Sequence, residues 1–151
     1  GAASGNERVR ARIAGTRAAL REVGLELRPE WVVEQPFSFE GGRQAVRQLM
    51  SGTEKPTAII CGTDLLAIGA IDECRIRKIR VPQDVSITGF DDIELAMLAD
   101  PKLTTVRVPS MEIGARAARH LVSPIEGSEL PAEPALDAPL VVRDSLRKIV
   151  S

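Results

Sequence analysis

Apolar positions along the chain follow two periods that alternate. Val9, Ile13, Thr16, Leu20 and Val23 recur every three or four residues, which places them on one side of a helix, and Ser4-Gly5-Asn6-Glu7 ahead of them has the S-x-x-E form of a capping box. A helix over 6–23, closed near Gly24, is expected. Trp31-Val32-Val33 is a short β-prone run stopped by Pro36. Ala45, Val46, Leu49 and Met50 then mark the apolar side of a second helix that ends at Gly52. Thr57 to Cys61 is an unbroken run of the kind found in a parallel strand covered on both faces, and Leu65 to Ile76 continues with helical periodicity. Val85 to Phe90 predicts another strand, Asp91-Asp92 a turn, and 94–99 a short helix ended by Pro101.

Strands alternating with helices predict an α/β fold with a doubly wound parallel sheet, because each parallel connection needs a crossover. Ligands of such sheets lie outside the carboxyl ends of the strands. That rule selects three junctions: Phe37, Thr63-Asp64 and Asp91-Asp92. Gly1 to Asn6 reads as a fourth junction whose strand is absent from this sequence, so one sheet edge is expected to lack its neighbour. Past Pro101 the character changes. Leu103 to Val108 is β-prone and leads through Pro109 into a helix carrying Met111, Ala115, Ala118 and Leu121-Val122. Ser123 to Pro139 reads as a solvated loop and Leu140 to Arg143 as a closing strand.

Composition narrows the function. With 151 residues, 44% of them apolar, the chain can form one compact unit or most of two lobes sharing a core. Twenty Lys and Arg against 21 Asp and Glu give a net charge of −1 and no basic stripe, so this piece is not expected to hold DNA by itself. Cys61 and Cys74 stand in neither a C-x-x-C nor a zinc spacing, which favours a reduced cytoplasm. No run approaches the roughly 18 apolar residues of a membrane span, and no secretion signal is read. Chemistry is poorly provided for, with one histidine, no tyrosine, no G-x-S-x-G and no G-x-x-x-x-G-K-[ST]. Gly1-Ala2-Ala3-Ser4-Gly5 lacks the lysine of a phosphate loop. The expectation is a binding protein without enzymatic activity, cofactor or metal.

Candidate contacts come from the junctions. Asp91 is either a turn or N-cap residue or a ligand anchor; an ionised carboxylate only accepts, so it suits hydroxyl or ring N–H donors. Asp92 is expected to cap the following turn. Arg12 lies three residues after Val9 and four before Thr16, on the inward side of its helix, where its fork of donors suits ligand oxygens. Phe37 offers a ring face for a sugar or base, or fills the core, and Phe39 is assigned to the core. Asp64 either accepts from a ligand or caps the helix that begins there. His120 is expected at the surface.

These segments resemble, in order and over essentially the whole chain, the LacI/GalR family. Arg8-Val9-Arg10-Ala11-Arg12-Ile13-Ala14-Gly15 is similar to its R-x-x-G helix. Residues 56–70 are similar to the segment P-T-A-(I/V)-x-x-x-N-D-x-x-A-x-G, with Thr63 where Asn is usual. Residues 81–92 match V-P-x-D-(I/V)-S-(V/I)-x-G-(F/Y)-D-(D/N) closely. Leu103-Thr104-Thr105-Val106 and Leu140-Val141-Val142-Arg143-Asp144-Ser145 follow. The resemblance implies a two-lobed sensor of the periplasmic-binding-protein-like (type I) class. This chain would supply mostly the second lobe over 1–107, a segment crossing to the first lobe over 108–137, and a return strand and tail over 138–151. It further implies a sugar or nucleobase-like effector held by Arg12, Phe37, Thr63, Asp64 and Asp91. A homodimer is implied, in which Leu65, Leu66, Ile68 and Ile71 supply surplus apolar surface and Leu95, Met97 and Leu98 add to it. Operator DNA would be met only through a helix-turn-helix headpiece that this sequence lacks. A secreted sugar-binding protein of an uptake system is the alternative that shares the fold.

Overall fold

The computed structural model describes residues 7–123, 125 and 133–148. Helix α1 (Glu7–Glu22) closes as its sequence predicts: Gly24 takes φ +73°, its N–H donates to the Arg21 carbonyl at 3.0 Å and that of Leu25 to Leu20 at 2.9 Å. Those two bonds satisfy carbonyls that the helix end leaves open, and glycine adopts the left-handed turn without steric cost. The capping box at Ser4 and the junction at Gly1–Asn6 lie outside the described residues. Of the expected apolar stripe on α1 only Val9 is buried.

Helix α2 (Phe39–Leu49) starts at Ser38, whose hydroxyl accepts from the Gly41 N–H at 2.9 Å, and it crosses α3 (Asp64–Ile76) backbone against backbone. A Cβ on Gly42 would stand 2.0 Å from the Leu66 carbonyl oxygen, and one on Gly69 2.0 Å from that of Phe39. The close crossing lets Val46, Leu49, Ala67, Ala70, Ile71 and Cys74 form one core with strands β1 (Ala58–Ile60) and β2 (Ser86–Thr88).

The two strands pair in parallel, with Ile59 opposite Ile87. Thr88 then bridges Thr104 in parallel. The N–H groups of Gly89 and Asp91 donate to the Thr104 and Val106 carbonyls at 2.9 Å each, drawing β3 (Thr105–Val106) alongside the end of β2. Strand β4 (Leu140–Val141) pairs antiparallel with β3. Short helix α4 (Leu95–Leu98) connects β2 to β3, and α5 (Ser110–Val122) follows β3. The two strand pairs, joined by these bridges, lie in the order β1-β2-β3-β4, the first three parallel and the last an antiparallel return.

Ser145 fastens the end of the described chain. Its buried hydroxyl donates to the Ile87 carbonyl at 2.6 Å and accepts from the Thr104 N–H at 2.8 Å, while its own carbonyl accepts from the Ile87 N–H. One side chain thus satisfies the backbone of two neighbouring strands.

Four expectations are corrected. Trp31-Val32-Val33 is not a strand: Pro29 to Trp31 form a 3-10 turn whose last bond runs from the Val32 N–H to the Pro29 carbonyl. Pro29 fixes φ for that turn, and Trp31 and Val33 still pack on the core. Strand β1 is covered on one face only, since Ile59 is buried while Ile60 is 65% exposed. Helices α2 and α3 take the Ile59 side, and α1 contributes a single buried residue. Phe39 is exposed instead of core, because its backbone is what meets Gly69. Leu66 and Ile71 are consumed by the chain's own core and Ile68 packs against it, leaving Leu65, Leu95, Met97 and Leu98 as the exposed apolar side chains of that region. Helix α5 buries none of its residues, and Met111 is 91% exposed.

Candidate ligand site

The carboxyl ends of β1 and β2 meet directly: the Asp64 N–H donates to the Phe90 carbonyl at 2.8 Å. Onto that seam α1 brings Arg12. Its guanidinium lies 3.6 Å from the centre of the Phe90 ring, and one amino group donates to the Gly62 carbonyl at 2.7 Å. Stacking and hydrogen bonding together fix a side chain that would otherwise rotate freely. The remaining donors of its fork have no partner fixed by these two contacts.

Asp91 follows Phe90. Its backbone takes φ +116° and that of Asp92 +57°, two consecutive non-glycine residues in conformations that each cost about 1–3 kcal/mol. The half-buried Asp91 carboxylate accepts no hydrogen bond among the described residues. Its pKa is raised, first by burial and then by the Asp64 charge, with the Arg12 charge acting against both. An acceptor-only group, partly desolvated and within electrostatic reach of an arginine, is suited to a donor arriving from outside.

Asp92 behaves differently from its neighbour. Its carboxylate is 8% exposed and accepts from Arg107 Nε at 2.7 Å and from an Arg143 amino group at 2.5 Å. Burial raises its pKa, but the two arginine hydrogen bonds outweigh that and the net shift is downward. The expected turn cap is therefore corrected to an ion-paired group, because the turn sends this side chain toward β3 and β4. Arg143 also donates to the Leu103 carbonyl at 2.7 Å.

Asp64 meets the expectations for it in neither form. It is completely buried, one oxygen accepting from the Ile93 N–H at 2.9 Å and the other from the Thr105 hydroxyl at 2.5 Å. Both oxygens face chain donors, so it braces the site from beneath. The cap of α3 is Thr63, whose hydroxyl accepts a long bond, 3.4 Å, from the Leu66 N–H. Phe37 sits in the loop leading into α2, 43% exposed, and takes no part in the Arg12–Phe90 stack. That loop folds back onto the first turn of α2, since a Cβ on Gly41 would meet the Pro36 carbonyl oxygen at 2.3 Å. Arg12, Thr63 and Asp91 are thus gathered at one seam, with Phe37 on the adjoining loop.

Sequence reasoning missed four participants: Phe90, Arg107, Arg143 and Ser145. Phe90 adjoins the Asp pair in sequence and is the one member whose place at the strand end signals the role. Elsewhere, His120 is exposed on α5, and burial pushes the free thiols of Cys61 and Cys74 up to about 12 and about 11. Among the described residues no group of three or more His, Cys, Asp or Glu is placed to hold a metal ion. No helix there is long and apolar enough to cross a membrane.

The seam lies at the carboxyl edge of an open α/β sheet, the edge at which such folds bind small molecules. The chain belongs to the periplasmic binding protein-like domain family, whose model matches residues 2–146. It is 36% identical over 139 residues to the HTH-type transcriptional repressor CytR of Escherichia coli K12, covering 91% of this chain and 41% of that protein. It is 38% identical over 136 residues to the ribose operon repressor of Haemophilus influenzae, 89% and 41% covered. Among solved structures, a sugar-binding transcriptional regulator of the LacI family from Escherichia coli, complexed with phosphate, superposes with a TM-score of 0.89. It is 28% identical, with 96% of this chain and 52% of that one covered. The resemblance to LacI-type regulators read from the motifs is met by these relatives. The chain spans 41% of the length of the two repressors it matches.

Proposed function

We propose that this chain is the effector-sensing and dimerisation part of a ligand-responsive bacterial transcription regulator of the LacI/GalR type. It binds a sugar or nucleobase-like metabolite at the seam of Arg12, Thr63 and Asp91, with Phe37 offering a ring face from the loop beside it. The observation that carries this reading is the half-buried Asp91 carboxylate, which accepts from no donor among the described residues and feels the charge of the stacked Arg12. Asp64 supports the seam from below and does not touch the ligand.

In this reading residues 1–107 form one lobe, 108–137 cross to a second and 138–151 return. The apolar side of α5, none of whose residues is buried, supports the crossing. Two such chains pair through the exposed Leu65, Leu95, Met97 and Leu98. Operator DNA is reached through a headpiece outside this sequence, the protein works in the cytoplasm, and it catalyses no reaction. Relatives named as repressors favour a regulator over a secreted uptake protein.

Thermal-shift screening of the intact protein against aldoses, nucleosides and nucleobases tests the proposal. A ligand at a hundred times its dissociation constant adds about 2.7 kcal/mol. For the compound found, Asp91→Asn replaces one acceptor oxygen by a donor. Titration calorimetry is expected to show roughly ten- to hundredfold weaker binding, the cost of about 1–3 kcal/mol for a buried mismatch. Asp84→Ala, at the entry side of β2 and paired with Arg80, is expected to leave affinity unchanged. Unchanged affinity in a folded Asp91→Asn protein returns Asp91 to a turn role.

A further inference from the structure

Asp91 and Asp92 are adjacent, chemically identical and both at positive φ, yet one carboxylate is open and the other clamped. The backbone around them is pinned one residue at a time by separate parts of the fold. The Asp91 N–H donates to the Val106 carbonyl at 2.9 Å, Asp92 is gripped by Arg107 and Arg143, and the Ile93 N–H donates to Asp64 at 2.9 Å. Arg143 is itself immobilised. Its side chain is 11% exposed, a second amino group donates to the Leu103 carbonyl, and its backbone N–H donates to the Thr104 hydroxyl at 2.8 Å. A left-handed pair without glycine persists only where surrounding structure over-determines it. Of the three restraints, the grip on Asp92 is the one made by side chains from outside the turn that hold charge against charge; its Arg143 half is shielded from water, with side chains 11% and 8% exposed, while Arg107 closes it from the solvent side.

We propose that Asp92, clamped by Arg107 and Arg143, is a positioning residue that holds Asp91 in its left-handed conformation and aims the Asp91 carboxylate at the ligand edge. The purpose of the aim rests on reading Asp91 as a ligand contact; the aim itself does not. Arg107 directly follows β3 and Arg143 lies two residues past β4, so the clamp ties the ligand seam to both strands of the antiparallel pair.

The test reads Asp91 itself, in the intact protein with isotope-labelled aspartate. Its three-bond amide-to-Hα coupling reports φ, and the carbon resonance of its carboxyl group reports titration. Arg143→Lys keeps the charge but cannot bridge Asp92 and the Leu103 carbonyl as the fork does. The expected result is a coupling shifted from the left-handed value toward the extended average, with a titration midpoint moved down toward the ordinary carboxylate range as water reaches the group. Asp92→Asn, which tolerates the same backbone but loses the charge, is expected to shift the coupling likewise. Either variant alone suffices if the other fails to fold. Wild-type coupling and midpoint in a folded Arg143→Lys protein, or wild-type coupling in folded Asp92→Asn, overturn the proposal. Failure of the ligand reading shows separately, as an Asp91 carboxyl resonance in the unmodified protein that no aldose or nucleoside displaces.

Discussion

Replacing Asp64 tests whether the site is built on a buried polar brace. The side chain has no solvent contact and accepts two hydrogen bonds, 2.9 Å from the Ile93 N–H and 2.5 Å from the Thr105 hydroxyl. Bonds to a charged group are worth roughly 1.5–3 kcal/mol each, and removing the acceptor leaves a buried hydroxyl and a part-buried N–H without partners. Asp64→Ala is therefore expected to destabilise the fold by about 3–5 kcal/mol. Asp64→Asn is milder, about 1 kcal/mol, because its oxygen still accepts from Ile93 while its amide donates to the Thr105 oxygen. Gly89 sharpens the test, since a Cβ there would stand 2.1 Å from the Asp64 carboxylate and 2.9 Å from Leu103. Gly89→Ala alone is strongly destabilising, whereas Asp64→Ala removes its nearest clash, so the double variant is expected to lose less than the sum of the two singles. Urea unfolding, with the slope checked for constancy, measures all four proteins. The reasoning is refuted if Asp64→Ala lies within ~0.5 kcal/mol of wild type, the range of an ordinary surface change.

Three further outcomes follow from the same contacts. Glu73, 4% exposed on α3, is lowered from 4.5 to about 2, first by the hydrogen bond from Arg47 and then by that from Arg77. A carboxyl depressed in the folded state contributes stability above its unfolded value and loses it as pH falls, so melting temperature drops between pH 4.5 and about 2, and less steeply in Glu73→Gln. Ser145→Ala strands the Thr104 N–H and the Ile87 carbonyl, and denaturant titration is expected to show a loss of about 2–3 kcal/mol. Gly69→Ala drives a methyl group to 2.0 Å from the Phe39 carbonyl oxygen, forcing α2 away from α3; calorimetric melting is expected to show at least about 1–3 kcal/mol of destabilisation.

Much of this was legible in the chain. The spacing of Val46, Leu49 and Met50, the apolar run at 57–61 and Gly24 each encode an element through contacts only a few residues apart, and the structure reproduces α1, α2, α3, β1 and β2 with ends shifted by a few residues. The order of strands and helices also placed Thr63, Asp64 and Asp91 at one sheet edge, because in a parallel sheet that edge follows from direction alone. The roles within the edge did not follow. Asp64 and Asp91 are the same residue type at equivalent junctions, and what separates them is Thr105, which reaches Asp64 from 41 residues away. Asp91 and Asp92 are told apart by Arg107 and Arg143, 15 and 51 residues from Asp92. Ser145 gains its meaning from Ile87, 58 residues earlier. Burial and hydrogen-bond partners depend on what the folded chain brings alongside, and a periodicity read over a dozen residues carries no information about it. For the same reason Ile60 belongs to a convincing strand yet stands in solvent: local pattern determines that a segment is extended, while the layers above and below decide which of its faces is covered.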